Sequence, residues 1–248
     1  MNIYKSSAEL KGMAKEQLFG KYGTVIGAVL LVGIFNSLLV FIPNFITNTG
    51  TIPGLIIYYL VSFILSLFAG IFSSGRAFLF LKVTCRQPVS AGDIFYGFKA
   101  HPDKALVIQF VLALASYLLL APLYIFNYLF ASTQNVIYFL MMSVFCILGY
   151  TVLVIISLML SQSFFLLQDF PQYSAKELMK MSCRIMKGHK GRLFYIQLSF
   201  LPLYLLGILS CCIAFLWIVP YINTTMANFY MDLMKNRNQT ETSMPDMQ

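Results

Sequence analysis

The chain has 248 residues, of which 59% are apolar and only 10% charged, with a net charge of +8. Soluble domains average about 25% charged residues, so the composition excludes an ordinary water-soluble domain. Five scattered cysteines and two histidines, with no C-x-x-C, H-E-x-x-H or G-x-S-x-G pattern, offer little to a metal site or a histidine-dependent triad. No cofactor is expected, and neither is a nucleic-acid partner.

The charges are segregated. No charged residue occurs in the 54 positions between Lys21 and Arg76, the 64 between Lys104 and Asp169, or the 39 between Arg192 and Asp232. A spanning helix needs about 20 apolar residues, so each run holds two spans and a turn. Fifteen of the 17 Lys and Arg residues lie in 1–21, 76–104 and 169–192. Basic loops stay cytoplasmic, which predicts three inner segments, uncharged outer turns and both termini inside.

In chain order, the first inner segment leads to a span over about 23–42. It lacks the short apolar core and small-residue cleavage site of a signal peptide, so it is expected to remain as a span. Turn residues from Pro43-Asn44 through Thr49-Gly50-Thr51 to Pro53-Gly54 precede a second span over about 55–77. Ser62, Ser66, Gly70 and Ser74 recur along it every four residues, a small ridge suited to close helix packing. Gly23 and Gly27 form a weaker ridge on the first span. Gly70 to Ala77 mimics a phosphate loop but lies inside a span and has Arg76 where that motif needs Lys.

The second inner segment precedes spans over about 105–130 and 136–166, separated by Ala131-Ser132-Thr133-Gln134-Asn135. The third precedes spans over about 191–209 and 212–232, which leaves Gly207–Cys212 as a tight outer turn. Residues 1–236 are read as one membrane domain and 237–248 as a polar cytoplasmic tail, expected to be disordered.

Ser6, Ser90 and Ser174 each open a Ser-x-x-acid-apolar pattern, 84 residues apart both times. Each serine can cap a helix, with Glu9 or Glu177 completing a capping box. Gly20 and Gly188 match at the offset of 168. The fold expectation is therefore an all-α polytopic membrane protein: six spans in three hairpins, each preceded by a cytoplasmic amphipathic helix, as a threefold repeat.

In the third such helix Lys176, Lys180, Arg184 and Lys187 share one face, opposite Leu178, Met181, Ile185 and Met186, and Lys190 and Arg192 continue the charge. This stripe is a candidate contact for anionic inner-leaflet headgroups or an acidic membrane-protein partner, beside the plainer role of a topology signal. Polar residues inside the spans are amides and hydroxyls, among them Gln109, Gln162, Gln197 and a last-span seam of Asn223, Thr224 and Asn228. Such a seam either packs or lines a cavity for a neutral or amphiphilic ligand.

The run from Ser174-Ala175 to Lys190, then Leu193-Phe194 and Leu198-Ser199-Phe200, with Trp217-Ile218-Val219-Pro220-Tyr221 and Ala227-Asn228-Phe229-Tyr230, resembles an uncharacterised bacterial integral-membrane family, a domain of unknown function. Ala8-Glu9-Leu10-Lys11 and Gly97-Phe98-Lys99 share the resemblance, which covers nearly the whole chain. It implies a six-span protein of the bacterial plasma membrane and supplies no reaction. The expected role is a non-enzymatic accessory or immunity-type membrane component. The alternatives are a permease-like path for a neutral or amphiphilic molecule, and a membrane-interface enzyme, for which Asp169 and Asp232 stand near the cytoplasmic boundary without evident partners.

Overall fold

The computed structural model describes residues 4–47 and 51–242, with the side chains of 238–242 excepted. Thr49-Gly50 of the first outer turn and residues 243–248 of the tail lie outside the described residues. The described chain is all-helical.

Helix α1 (Ser7–Leu18) starts at Ser6, whose hydroxyl accepts from the Glu9 N–H while the Glu9 carboxylate accepts from the Ser6 N–H. Ser174 and Glu177 repeat this at the start of α8, and Ser90 and Asp93 do so at a 3₁₀ turn, Ala91–Phe95. Each serine satisfies an N–H that the first helical turn leaves orphaned. Hydrogen bonds from serine hold the Glu9 and Glu177 carboxyls below their ordinary pKa. Gly20 (φ +76°) ends the first amphipathic segment and Gly188 (φ +85°) the third, in a backbone region that glycine enters without penalty.

Between the caps run α2 (Tyr22–Ile46), α3 (Ile52–Thr84), α4 (Tyr96–Lys99), α5 (Pro102–Thr133), α6 (Val136–Leu160), α7 (Ser163–Asp169), α8 (Ala175–Ile185), α9 (Lys190–Leu198), α10 (Leu201–Leu209) and α11 (Phe215–Thr242). Among the described residues five stretches are long and apolar enough to cross a membrane: Tyr22–Ile46, Ile52–Thr84, Pro102–Thr133, Val136–Asp169 and Lys190–Leu209. The expected last span falls on α11, which is not among them. Its physical reason is burial: Thr224, Thr225, Asn228, Asp232 and Asn236 lie inside the protein beside Ala227, Phe229, Tyr230 and Leu233. Polar side chains are tolerated on such a helix where they face protein and are hydrogen-bonded, as Thr224, Thr225, Asn228 and Asn236 are. The turn before it is built by Cys211 (φ 52°) and Cys212 (φ 69°), both exposed.

Packing is uneven along the bundle. The two buried clusters gather at the end carrying the basic segments, around Leu10, Leu178, Leu193, Phe229 and Tyr230 in one and Leu18, Val25, Phe80 and Ala227 in the other. Toward the opposite end large apolar side chains are exposed, as at Phe41, Phe45, Ile56, Ile147, Leu205 and Leu209. This distribution suits a protein whose solvent is lipid over that stretch.

Two glycines fix the segment between α3 and α5. A Cβ on Gly75 of α3 would stand 1.8 Å from the Ile94 carbonyl oxygen, and one on Gly97 of α4 2.1 Å from that of Ile71. Backbone therefore meets backbone there. A Cβ on Gly70 would meet that of Gln109 at 2.4 Å, so this part of the small ridge packs on α5. Gly23 and Gly27 have nothing within 4 Å and seat no neighbouring helix. Gly12, exposed in the middle of α1, also faces open space. Gly12→Ala is expected to raise stability by about 0.5–1 kcal/mol through helix propensity, read as a higher Tm in detergent.

Candidate functional site: a polar cavity inside the bundle

Two of the spans are interrupted at similar depth. Ser161 and Gln162 separate α6 from α7; the Gln162 N–H donates to the Ser182 hydroxyl of α8, which donates to the Met159 carbonyl. Ser199 and Phe200 separate α9 from α10, where Pro202 lacks an N–H and crowds the carbonyl four residues back. Lys11 of α1 donates from Nζ to the Ser199 carbonyl at 3.1 Å and hydroxyl at 2.7 Å, and lies 4.1 Å from the centre of the Phe200 ring. Helix breaks at membrane depth are tolerated where protein or a cavity re-satisfies the backbone.

The break between α6 and α7 borders a cavity of about 320 Å³, which α9 lines as far as Gln197, just before the second break. Its polar lining comes from Ser73 and Arg76 on α3, Gln109 on α5, Ser157, Ser161 and Gln162 at the end of α6, Gln197 on α9 and Asn223 on α11. Leu112, Leu160, Phe164, Phe165, Leu193 and Met226 complete its walls. Arg76 lies eight residues before the end of α3, about 12 Å along the axis. Gln109 lies seven residues past Pro102 at the start of α5, and the facing amides have the same offset: Gln197 is seven past Lys190, and Gln162 seven before Asp169. The polar atoms thus meet about two turns in from the basic end.

The Arg76 guanidinium donates to the Ser73 hydroxyl at 3.0 Å, and among the described residues it makes no ion pair. The Gln162 side-chain oxygen is buried and has no hydrogen-bond partner among the described residues. Ser157 and Gln197 line the cavity and are also exposed, so it opens sideways between α6 and α9.

The seam on α11 divides. Asn223 faces the cavity and donates to the Val219 carbonyl at 2.8 Å. Thr224 is buried and donates to the Pro220 carbonyl at 2.9 Å. Asn228 donates to the Gln17 side-chain oxygen at 2.8 Å and packs α11 on α1, while Gln17 donates to the Thr84 carbonyl. Of the ridge on α3, Ser74 is buried and accepts from Gln168 at 2.8 Å; Ser66 bonds within its own helix, and Ser62 is half-buried.

On α8 and the turn that follows it the side chains of Lys176, Lys180, Arg184 and Lys187 are exposed, while Leu178, Ile185 and Met186 are buried against the bundle. The apolar face of α8 thus meets protein rather than lipid, and the basic face looks outward. Lys190 is half-buried. Arg192 leaves the stripe altogether: it pairs with Asp232 at 2.5 Å and lies over the Tyr4 and Phe229 rings. Asp169 accepts from the Tyr230 hydroxyl at 2.6 Å. Both carboxylates border one cleft at the basic end, and contrary to the sequence reading both have partners.

Arg76 is the residue that the sequence reading missed. Its position at the end of a charge-free run marks it as the edge of the span expected over about 55–77, and the continuation of α3 to Thr84 sets it well inside the helix.

A family described as proteins of unknown function, DUF975, matches residues 1–237. The chain belongs to this family. The match takes in every residue of the cavity lining and both helix breaks. No curated protein and no solved structure is significantly similar to the chain.

Proposed function

We propose that the chain is a non-enzymatic, multi-pass component of the bacterial plasma membrane that holds an amphiphilic ligand in the cavity between α3, α5, α6, α9 and α11. The observation carrying this reading is the convergence of one guanidinium, four side-chain amides and three hydroxyls on a single cavity that opens toward an apolar surface. Amides and hydroxyls hold and orient a ligand. The carboxylates that an interfacial enzyme would use, Asp169 and Asp232, are engaged by Tyr230 and Arg192. A volume of about 320 Å³ lies at the small end of ligand pockets, enough for a headgroup whose tails remain in lipid.

In this reading α11 is the sixth span, entering from the Cys211-Cys212 turn and shielded from lipid by its neighbours. The three serine-capped segments then each feed a two-helix hairpin, with both termini cytoplasmic, and the basic face of α8 presents Lys176, Lys180, Arg184 and Lys187 to anionic headgroups or an acidic partner. Native cysteines report the orientation. In a variant retaining Cys211 alone, an impermeant maleimide should label intact cells; in one retaining Cys85 alone, labelling should require permeabilisation. Labelling of Cys85 from outside would reverse the topology.

For ligand holding, Ser157→Trp narrows the mouth from an exposed position. Native mass spectrometry should find retained amphiphile on the wild type and much less on Ser157→Trp at equal Tm. Equal retention on both would dismiss the cavity as the binding place.

A further inference from the structure

The reading above leaves the ligand's charge open, and Arg76 answers it. We propose that the cavity selects an anionic phospholipid, with the Arg76 guanidinium holding a phosphate oxygen of the headgroup and the acyl chains leaving between α6 and α9. This rests on the cavity being a ligand site and adds which chemical class it takes.

A charged side chain inside a spanning segment is expensive and is normally paired. Arg76 sits within the stretch Ile52–Thr84, and among the described residues its side chain, a guanidinium with five donors, makes one hydrogen bond, to a neutral hydroxyl. The cavity lining contains no Asp or Glu, so the protein itself supplies no counter-charge there. An anion in the cavity would satisfy the guanidinium through charge-assisted hydrogen bonds, the geometry for which arginine is suited.

Depth favours a headgroup over a free anion. The exposed apolar belt begins beside the cavity mouth, with Ile155 on α6, Leu198 on α9 and Leu201 on α10 all exposed. A phosphate at Arg76 would therefore sit at the inner edge of the belt with its chains already against apolar surface. The buried Gln162 side-chain oxygen, without a donor, is matched by a hydroxyl of a glycerol headgroup.

The test uses the full-length protein in a nonionic detergent, titrated with short-chain phosphatidylglycerol, short-chain phosphatidylcholine or inorganic phosphate while Tm is followed. Phosphatidylglycerol should raise Tm at concentrations about tenfold lower than phosphatidylcholine, whose phosphate comes with a choline cation that opposes Arg76 and offers no hydroxyl to Gln162. Inorganic phosphate should have no effect at the same concentrations. Arg76→Gln should abolish the preference for phosphatidylglycerol, and Arg76→Lys should keep part of it. Lys176→Gln with Lys180→Gln, on the outward face of α8, should leave it intact.

An unchanged preference in Arg76→Gln, or its loss in the α8 variant, would overturn the assignment to Arg76. A Tm rise with inorganic phosphate equal to that with lipid would overturn the phospholipid and leave a free anion. Should Arg76→Gln fail to fold, wild-type protein extracted from an equimolar mixture of the two phospholipids decides the matter by native mass spectrometry. Enrichment of phosphatidylglycerol supports the proposal and equal retention defeats it. Loss of all lipid in Ser157→Trp together with unchanged selectivity in Arg76→Gln would sink this inference and leave the ligand-binding reading standing.

Discussion

Asp232→Ala should lower stability by about 3–5 kcal/mol, the range for removing one partner of a buried ion pair. Asp232 is 7% exposed, and its carboxylate accepts from the Arg192 guanidinium and from the Lys5 backbone N–H. Without it, Arg192 keeps the Lys5 carbonyl and two aromatic rings but loses its counter-charge while mostly buried. The N-terminal residues before α1 lose their attachment to α11 at the same time. Thermal denaturation in detergent measures the loss. Glu16→Ala provides the contrast, because the Arg86–Glu16 pair spans 3.8 Å with both side chains largely in solvent. Exposed pairs contribute about 0–1 kcal/mol, so a comparable loss in both variants would contradict the assigned role of Asp232.

Gly75→Leu should be the most damaging single change on α3. Even a Cβ would lie 1.8 Å from one backbone atom and 2.7 Å from another, both of Ile94, and backbone cannot rotate away as a long side chain can. Overpacking a tight site costs about 1–3 kcal/mol and sometimes more. The segment from Ala91 to Lys99 would have to lift from α3, and it carries Ile94, which is fully buried. The expected readouts are a reduced Tm and new protease sensitivity in residues 86–101. A Gly75→Leu variant that melts with the wild type would show that this segment does not sit against α3.

Much of the helical layout is legible in the sequence because charge and lipid do not mix. The long uncharged runs forecast six spans, of which five fall on stretches long and apolar enough to cross a membrane, and the Ser-x-x-acid spacing forecast three N-caps that the structure places at Ser6, Ser90 and Ser174. Boundaries were less legible. Helix α3 continues past Arg76 to Thr84 because Leu79, Phe80 and Val83 are buried against protein, not lipid. Likewise α11 hides its polar residues inside the bundle, so its composition understates its position.

The site was legible only in pieces. Gln109, Gln162, Gln197 and Asn223 stand out as amides inside apolar runs, but they come from four different helices and nothing local says that they share a cavity. Arg76 carried a signal, a cation just beyond a small-residue ridge, which the charge-run reading assigned to a span boundary. The α8 stripe shows the converse. Its 3.6-residue period exposes Lys176, Lys180, Arg184 and Lys187 together, whereas Arg192 lies on the next helix and its direction depends on Asp232, 40 residues away.

The central claim, that the cavity holds an amphiphile by its headgroup, is tested most directly by photocrosslinking in bilayers. A phospholipid carrying a diazirine next to the headgroup, irradiated with the wild-type protein and mapped by peptide mass spectrometry, should place adducts on residues 157–162 and 193–197, and Ser157→Trp should remove them. Adducts spread evenly around the apolar belt, and unchanged in Ser157→Trp, would contradict it.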